Sequence, residues 1–174
     1  DRTNSHILFQ NEIVHNEYKK HGINIEYNSQ RVTQKALKEY EESDFIFSLS
    51  QYVTKTFIDF GVSPQKMVTV PSGIEIDRFQ PGKKSDDVFR IIYCGALCIK
   101  KGTHLLLKAF HELNLPSSEL LLIGRVFDEM EVFLSKYSRN VRHIPYVINS
   151  NLNNYYSQGT VFVLPSLEEG LAKV

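Results

Sequence analysis

The sequence has no surplus of charge of either sign: twenty Lys and Arg residues balance twenty Asp and Glu. A sequence-independent grip on nucleic acid needs a basic excess, so that class of partner is excluded. No apolar run approaches the roughly 18 residues of a membrane span. The opening "DRTNSHILFQ" has neither an initiator Met nor the charged-then-apolar layout of a signal peptide, and it reads as an internal start. Cysteine is scarce. Cys94 and Cys98 suit a reducing compartment, which places the protein in the cytoplasm, and they do not make a disulfide framework. Their Cys-x3-Cys spacing has no second Cys/His pair at finger distance, so both read as small buried hydrophobes. The six histidines do not cluster and no Asp-x-Asp pair occurs, so no metal or other cofactor is expected.

What is present is the balance of a globular protein, with 42% apolar, 11% aromatic and 23% charged residues in a chain of 174. That length holds one domain or pieces of two. Residues 7–21 suit an amphipathic helix that Gly22 stops, and residues 30–42 a second. "DFIFSLS" at 44–50 reads as a buried strand. Ser50 can then cap a helix with Val53, Phe57 and Phe60 inward, which Gly61 and Pro64 end. "KMVTV" is a further short strand. Residues 74–88 hold no sustained period and contain Pro81 and Gly82, which marks a linker. Beyond it strands and helices alternate. Strands are expected at 89–94, 119–123, 141–144 and 161–164, and helices at 103–114, 128–138 and 150–158. Asp128 is placed to cap the second of these helices, and Leu106, Phe110 and Leu113 form the core face of the first. This rhythm predicts an α/β fold of Rossmann-like parallel sheets with flanking helices. Both domains are expected to be incomplete: the rear part of one over 1–73, and a truncated second over 89–174.

Ligands of open parallel sheets bind beyond the carboxyl ends of the strands, and three such ends carry unusual residues. "YCGALCIKKGTH" lets the chain turn at Gly95 and sets Lys100, Lys101 and Gly102 before a helix that starts at Thr103. Free amides and the positive dipole end favour an anion there, so the stretch reads as a diphosphate cradle. "LLIGRVFDE" offers Gly124 and the fixed cation Arg125, whose alternative is pairing with Asp128 or Glu129. "VLPSLEEG" presents Glu168 and Glu169 before Gly170, which admits a ligand or a neighbouring backbone. A capping role is open to one of these acids. The Walker and Gly-x-Gly-x-x-Gly patterns are both missing, which argues against a P-loop NTPase or a dehydrogenase. His104 and His111 share a helix face that reads as solvated. His6 lies at a helix start, where an exposed imidazole could reach a cleft.

These residues resemble the family 4 glycosyltransferases, enzymes of the two-domain GT-B architecture. "SDFIFSLSQYVTKTFIDFGVSPQKMVTVPSGIEIDRFQP" is similar to that family's exit from its first domain, with its "PxGxxxxxFxP" linker. "IIYCGALCIKKGTHLLLKAF" is similar to its entry to the second, and "VLPSLEEGLAKV" to the first half of its signature. The resemblance implies that Lys101 holds the donor diphosphate above the Gly95 turn and that Glu169 lies against the donor sugar. It also matches His6 to a cleft-facing His on the acceptor side. Many members carry Arg after the turn glycine where this chain has Ala96, and the second signature Glu would fall three positions past Val174. The implied reaction takes a sugar from a UDP- or GDP-linked donor, with retention, to a hydroxyl of a glycan, lipid or small molecule. The acceptor would enter beside the first domain, and the membrane's cytoplasmic face could be touched through regions outside this chain. A non-catalytic nucleotide-binding module and a GT-B nucleotide-sugar epimerase stay open as alternatives. The truncated chain itself is expected to turn over little donor.

Overall fold

Short β-branched and aromatic runs between capped helices build two α/β units in the computed structural model, which describes residues 2–172. One unit comprises residues 2–74 with 167–172, and the other residues 75–166.

The first unit contains β1 (Arg2–Thr3), α1 (Ile7–Lys20), α2 (Gln30–Glu42), β2 (Ile46–Ser48), α3 (Gln51–Asp59) and β3 (Met67–Thr69). Its strands are all parallel in the order β1-β2-β3, with Ser48 opposite both Thr3 and Thr69. Strand β1 was not legible in the sequence, because two residues carry no periodicity. The helices start as the caps dictate: Ser29 Oγ accepts from the Val32 amide and Ser50 Oγ from the Val53 amide. Gly61, two residues past the end of α3, takes a φ of 89° that few other residues adopt. Ile46, Val53 and Phe57 form the core, with Tyr40, Val62 and Met67 against it.

The second unit contains β4 (Phe89–Cys94), α4 (Thr103–Leu113), β5 (Ser118–Ile123), α5 (Glu131–Lys136), β6 (Val141–Ile144), α6 (Leu152–Tyr156) and β7 (Val161–Phe162). The sheet is parallel in the order β6-β5-β4-β7. Leu120, Leu121 and Leu122 are fully buried, as consecutive residues must be when helices cover both faces. Chain progression runs from β4 outward to β6 and then returns to β4's other side for β7. The order therefore reverses between β4 and β7, the position at which such sheets open a ligand crevice beyond their carboxyl ends.

Several local expectations change. Asp128 does not cap a helix: Asp128–Met130 form a 3-10 turn before α5, and the turn carries Met130 into the core under the Thr103 hydroxyl. Leu113, the last residue of α4, is 60% exposed and not on its core face. The rings of His104 and His111 pack near Phe133 and Tyr137, so their face is not a bare solvated one. Residues 79–88 are anchored to the second unit. The Ser85 amide and hydroxyl donate to Gln158, Asn153 donates to the Gln80 carbonyl, and Asp86 pairs with the buried Arg90. Arg90 also binds Glu119, which in turn pairs with Arg142 and so ties β4, β5 and β6 together.

Candidate functional site

The carboxyl end of the second sheet is built from two strand exits pressed against each other. Strand β4 leaves at Gly95 (φ 142°) and β5 at Gly124 (φ 140°), both in the left-handed half of backbone space. A β-carbon on Gly124 would stand 2.0 Å from the Gly95 carbonyl oxygen, so only glycine permits this approach. Past the glycines the exits still pair, with the Leu97 amide donating to the Arg125 carbonyl and the Phe127 amide to the Leu97 carbonyl. Two side chains hold the turns. Tyr93, fully buried, donates its hydroxyl to the Ala96 carbonyl at 2.6 Å, and His143 donates a ring N–H to the Gly124 carbonyl at 2.7 Å. Sequence reasoning missed both. The available signal was a Tyr inside an apolar strand, since a buried phenol needs a hydrogen-bond partner.

The chain then enters a 3-10 turn, Ile99–Lys101, which the buried Ile99 pulls against the core. Lys100 and Lys101 are half-buried on this turn. Gly102 follows in the left-handed conformation (φ 66°), and a β-carbon there would meet the Pro165 carbonyl oxygen at 1.9 Å. The start of α4 therefore abuts the exit of β7 at the point where strand order reverses. Thr103, fully buried, points its hydroxyl inward, donating to the Cys98 carbonyl at 3.1 Å; of this residue only the backbone can serve an anion. The first-turn amides of a helix lack intrahelical acceptors and sit at its positive end. Arg125 is exposed at the same sheet end, its guanidinium 5.2 Å from the Phe127 ring centre. Gly95, Lys100, Lys101, Gly102, Thr103 and Arg125 thus gather at one end of one sheet. Cys94 is buried in the core, and burial pushes the half-buried Cys98 thiol up, which disfavours its thiolate.

The remaining candidates lie in the first unit. Glu168 is neither solvated nor a helix cap: it is 1% exposed and accepts a hydrogen bond from the buried Ser5 hydroxyl. Its charge, after burial, helps to push the Tyr52 phenol up. Glu169 is half-buried. Gly170 is buried against Asn4 and Val53, 3.3 Å from each for a β-carbon, and its carbonyl accepts from Ser50 Oγ at 2.8 Å. Here the glycine admits neighbouring protein. Ser50 thereby caps α3 and holds the Glu168–Gly170 segment together.

His6 differs from the expectation most sharply. It is 2% exposed, not an open imidazole. Its ring stacks on Phe60 at 4.8 Å between centres and meets Tyr40 and the edge of Phe57 at 5.1 and 5.2 Å. Nδ1 accepts from the Leu8 amide, which makes His6 the N-cap of α1, and its own amide donates to Thr56 Oγ1. Desolvation holds its pKa down to about 4, so the ring is neutral near pH 7. The apolar neighbours that remove it from solvent are spread over α2 and α3, beyond the reach of local pattern reading.

Residues 88–174 match the family described as "Glycosyl transferases group 1". No curated protein sequence matches the chain. Among solved structures, sucrose-phosphate synthase from Thermosynechococcus elongatus aligns with a TM-score of 0.68 at 21% identity, covering 88% of this chain and 43% of that one. HepE from Anabaena, in complex with UDP and glucose, aligns with a TM-score of 0.66 at 14% identity, covering 84% and 45%. A TarM variant from S. aureus, in complex with fondaparinux, alpha-GlcNAc-glycerol and UDP, gives 0.64 at 12%, covering 82% and 29%. At these identities the likeness establishes the fold, which is of the GT-B type. The chain spans less than half the length of each of the three.

Proposed function

The chain belongs to the group 1 glycosyl transferases, and we propose that it carries the donor-diphosphate grip of a retaining, family 4 enzyme acting on a nucleotide-linked sugar. The observation that carries this reading is the convergence of Gly95, Lys100, Lys101 and the start of α4 at the switch point between β4 and β7. A departing nucleoside diphosphate gathers negative charge. Two ammonium groups, an exposed guanidinium and the first-turn amides of α4 are the groups at this sheet end that would meet that charge. A lost donor in a fixed electrostatic clamp of this kind costs on the order of 3 kcal/mol.

The β4 exit is positioned through its backbone, because Tyr93 grips the Ala96 carbonyl and the methyl group at Ala96 adds no contact of its own to an anion. Lys100 and Arg125 are the groups that would replace a cation at that place. UDP is the first nucleotide to try, since HepE and TarM were both solved with it. Glu169 is proposed to orient the donor sugar. His6 we assign to shaping the first unit around the start of α1. A neutral imidazole enclosed by three aromatic rings suits packing better than proton transfer. The reading is tested by titrating isotope-labelled protein with UDP and GDP while following amide shifts. Changes at residues 95–103 support it, and silence there at millimolar nucleotide overturns it.

A further inference from the structure

Helices α1 and α2 do not close on each other over their whole length. Together with the connecting residues they border a groove of about 610 Å³, within the range of roughly 300–1,000 Å³ usual for small-ligand sites. Helix pairs in soluble proteins normally bury apolar stripes. This groove is lined instead by amides, among them Asn11, Asn16, Asn28 and Gln34, with the carboxylates of Glu12 and Glu26, the imidazole of His15 and the phenol ring of Tyr27. Among the described residues that line it, none is Lys, Arg or aliphatic.

The amides are partly ordered in advance. Asn11 donates to Thr33 Oγ1 at 3.1 Å and accepts from Asn28 Nδ2 at 2.7 Å, so its orientation is fixed from both sides and the connecting loop is pinned to α1. Asn16 and Gln34 are exposed at the walls.

We infer that this groove binds a neutral, hydroxyl-rich ligand, a segment of oligosaccharide. The chemistry selects it. A carboxamide offers both donors and an acceptor, as a sugar hydroxyl does, and carboxylates accept from paired hydroxyls. Phosphorylated or carboxylated ligands would face two carboxylates, Glu12 and Glu26, against the single imidazole of His15 and no Lys or Arg in the lining, and a lipid tail would meet mostly polar walls. Among the described residues, no groove side chain belongs to a group close enough to share a metal ion. That the bound segment is the sugar acceptor rests on the transferase reading above; the binding itself does not.

The test is a titration of the labelled 174-residue chain with maltotriose, cellotriose and chitotriose, and with inorganic phosphate as the anionic control. At least one trisaccharide is expected to shift amides of residues 11–34, with phosphate silent there. The exposed double substitution N16L/Q34L is expected to weaken binding roughly tenfold or more, as the loss of two direct hydrogen bonds requires. The inference is overturned if no trisaccharide moves the groove amides, if phosphate moves them as well, or if the double variant binds as tightly as the parent. The donor reading expects UDP to perturb a different stretch, residues 95–103, so failure of the groove and failure of the donor reading are seen separately.

Discussion

Three residues decide most of the local chemistry. His6 is buried as a neutral base, and the sign of its effect on stability follows. The unfolded chain takes up a proton near the ordinary pKa of 6.5, whereas the folded chain resists until about 4. Stability from this site is complete above pH 6.5 and is lost as pH falls towards 4, by on the order of 3 kcal/mol. Urea titrations at several pH values on the parent and on His6→Phe should show a flatter acid limb in the variant. An unchanged limb would mean that His6 is solvated. Gly102 supports a second expectation, because a side chain there meets both a left-handed φ and the Pro165 carbonyl. Gly102→Ala should cost about 2 kcal/mol or more in stability and weaken nucleotide binding, measurable by thermal melts and calorimetry. Glu168 shows where the sequence falls short at this scale. Two adjacent acids look alike on paper, and the enclosed one, Glu168, is buried against the Ser5 hydroxyl 163 positions away.

Among the elements, those with a full period were legible. The predicted run at 30–42 coincides with α2, the predicted strand at 89–94 with β4, and the predicted start at Thr103 with that of α4. The expected strand at 161–164 contains the two-residue β7, whereas the two-residue β1 and the single 3-10 turns at Ile99–Lys101 and Asp128–Met130 are too short to display periodicity. The cradle was legible as far as glycines and lysines before a helix go. Its framing was not, because the contacts of Tyr93 with Ala96, His143 with Gly124 and Gly102 with Pro165 depend on how elements stack. Tyr93→Phe tests that framing. It removes the hydroxyl that satisfies the Ala96 carbonyl, so stability should fall by about 1 kcal/mol and UDP affinity several-fold. Unchanged affinity would show that the turn keeps its shape without the phenol. Lys101→Ala, on the turn before α4, should leave the melting temperature nearly unchanged. It should still lower UDP affinity at least about tenfold, as loss of a charge-assisted contact does.

At the scale of the whole molecule, the described residues 2–172 have a fold of the GT-B type, and the chain spans less than half the length of the enzymes it resembles. Composition offers no basic excess for a sequence-independent grip on nucleic acid, and among the described residues no helix is long and apolar enough to cross a membrane. The grip on the donor and the transfer of its sugar are separable properties. Binding needs the cradle of the second unit, whereas transfer also needs the sugar and the acceptor held in line. We therefore expect this chain to bind nucleotide without releasing UDP from UDP-glucose, which a coupled UDP assay would register.

The most direct measurement is amide-resolved NMR of the labelled chain with UDP, for the parent and for Lys101→Ala. Shifts concentrated at Gly95–Thr103, with further changes at Gly124–Arg125, are expected in the parent and should vanish in the variant. No shift in that stretch at millimolar UDP, or the same shifts without the Lys101 ammonium group, would contradict the donor-diphosphate assignment.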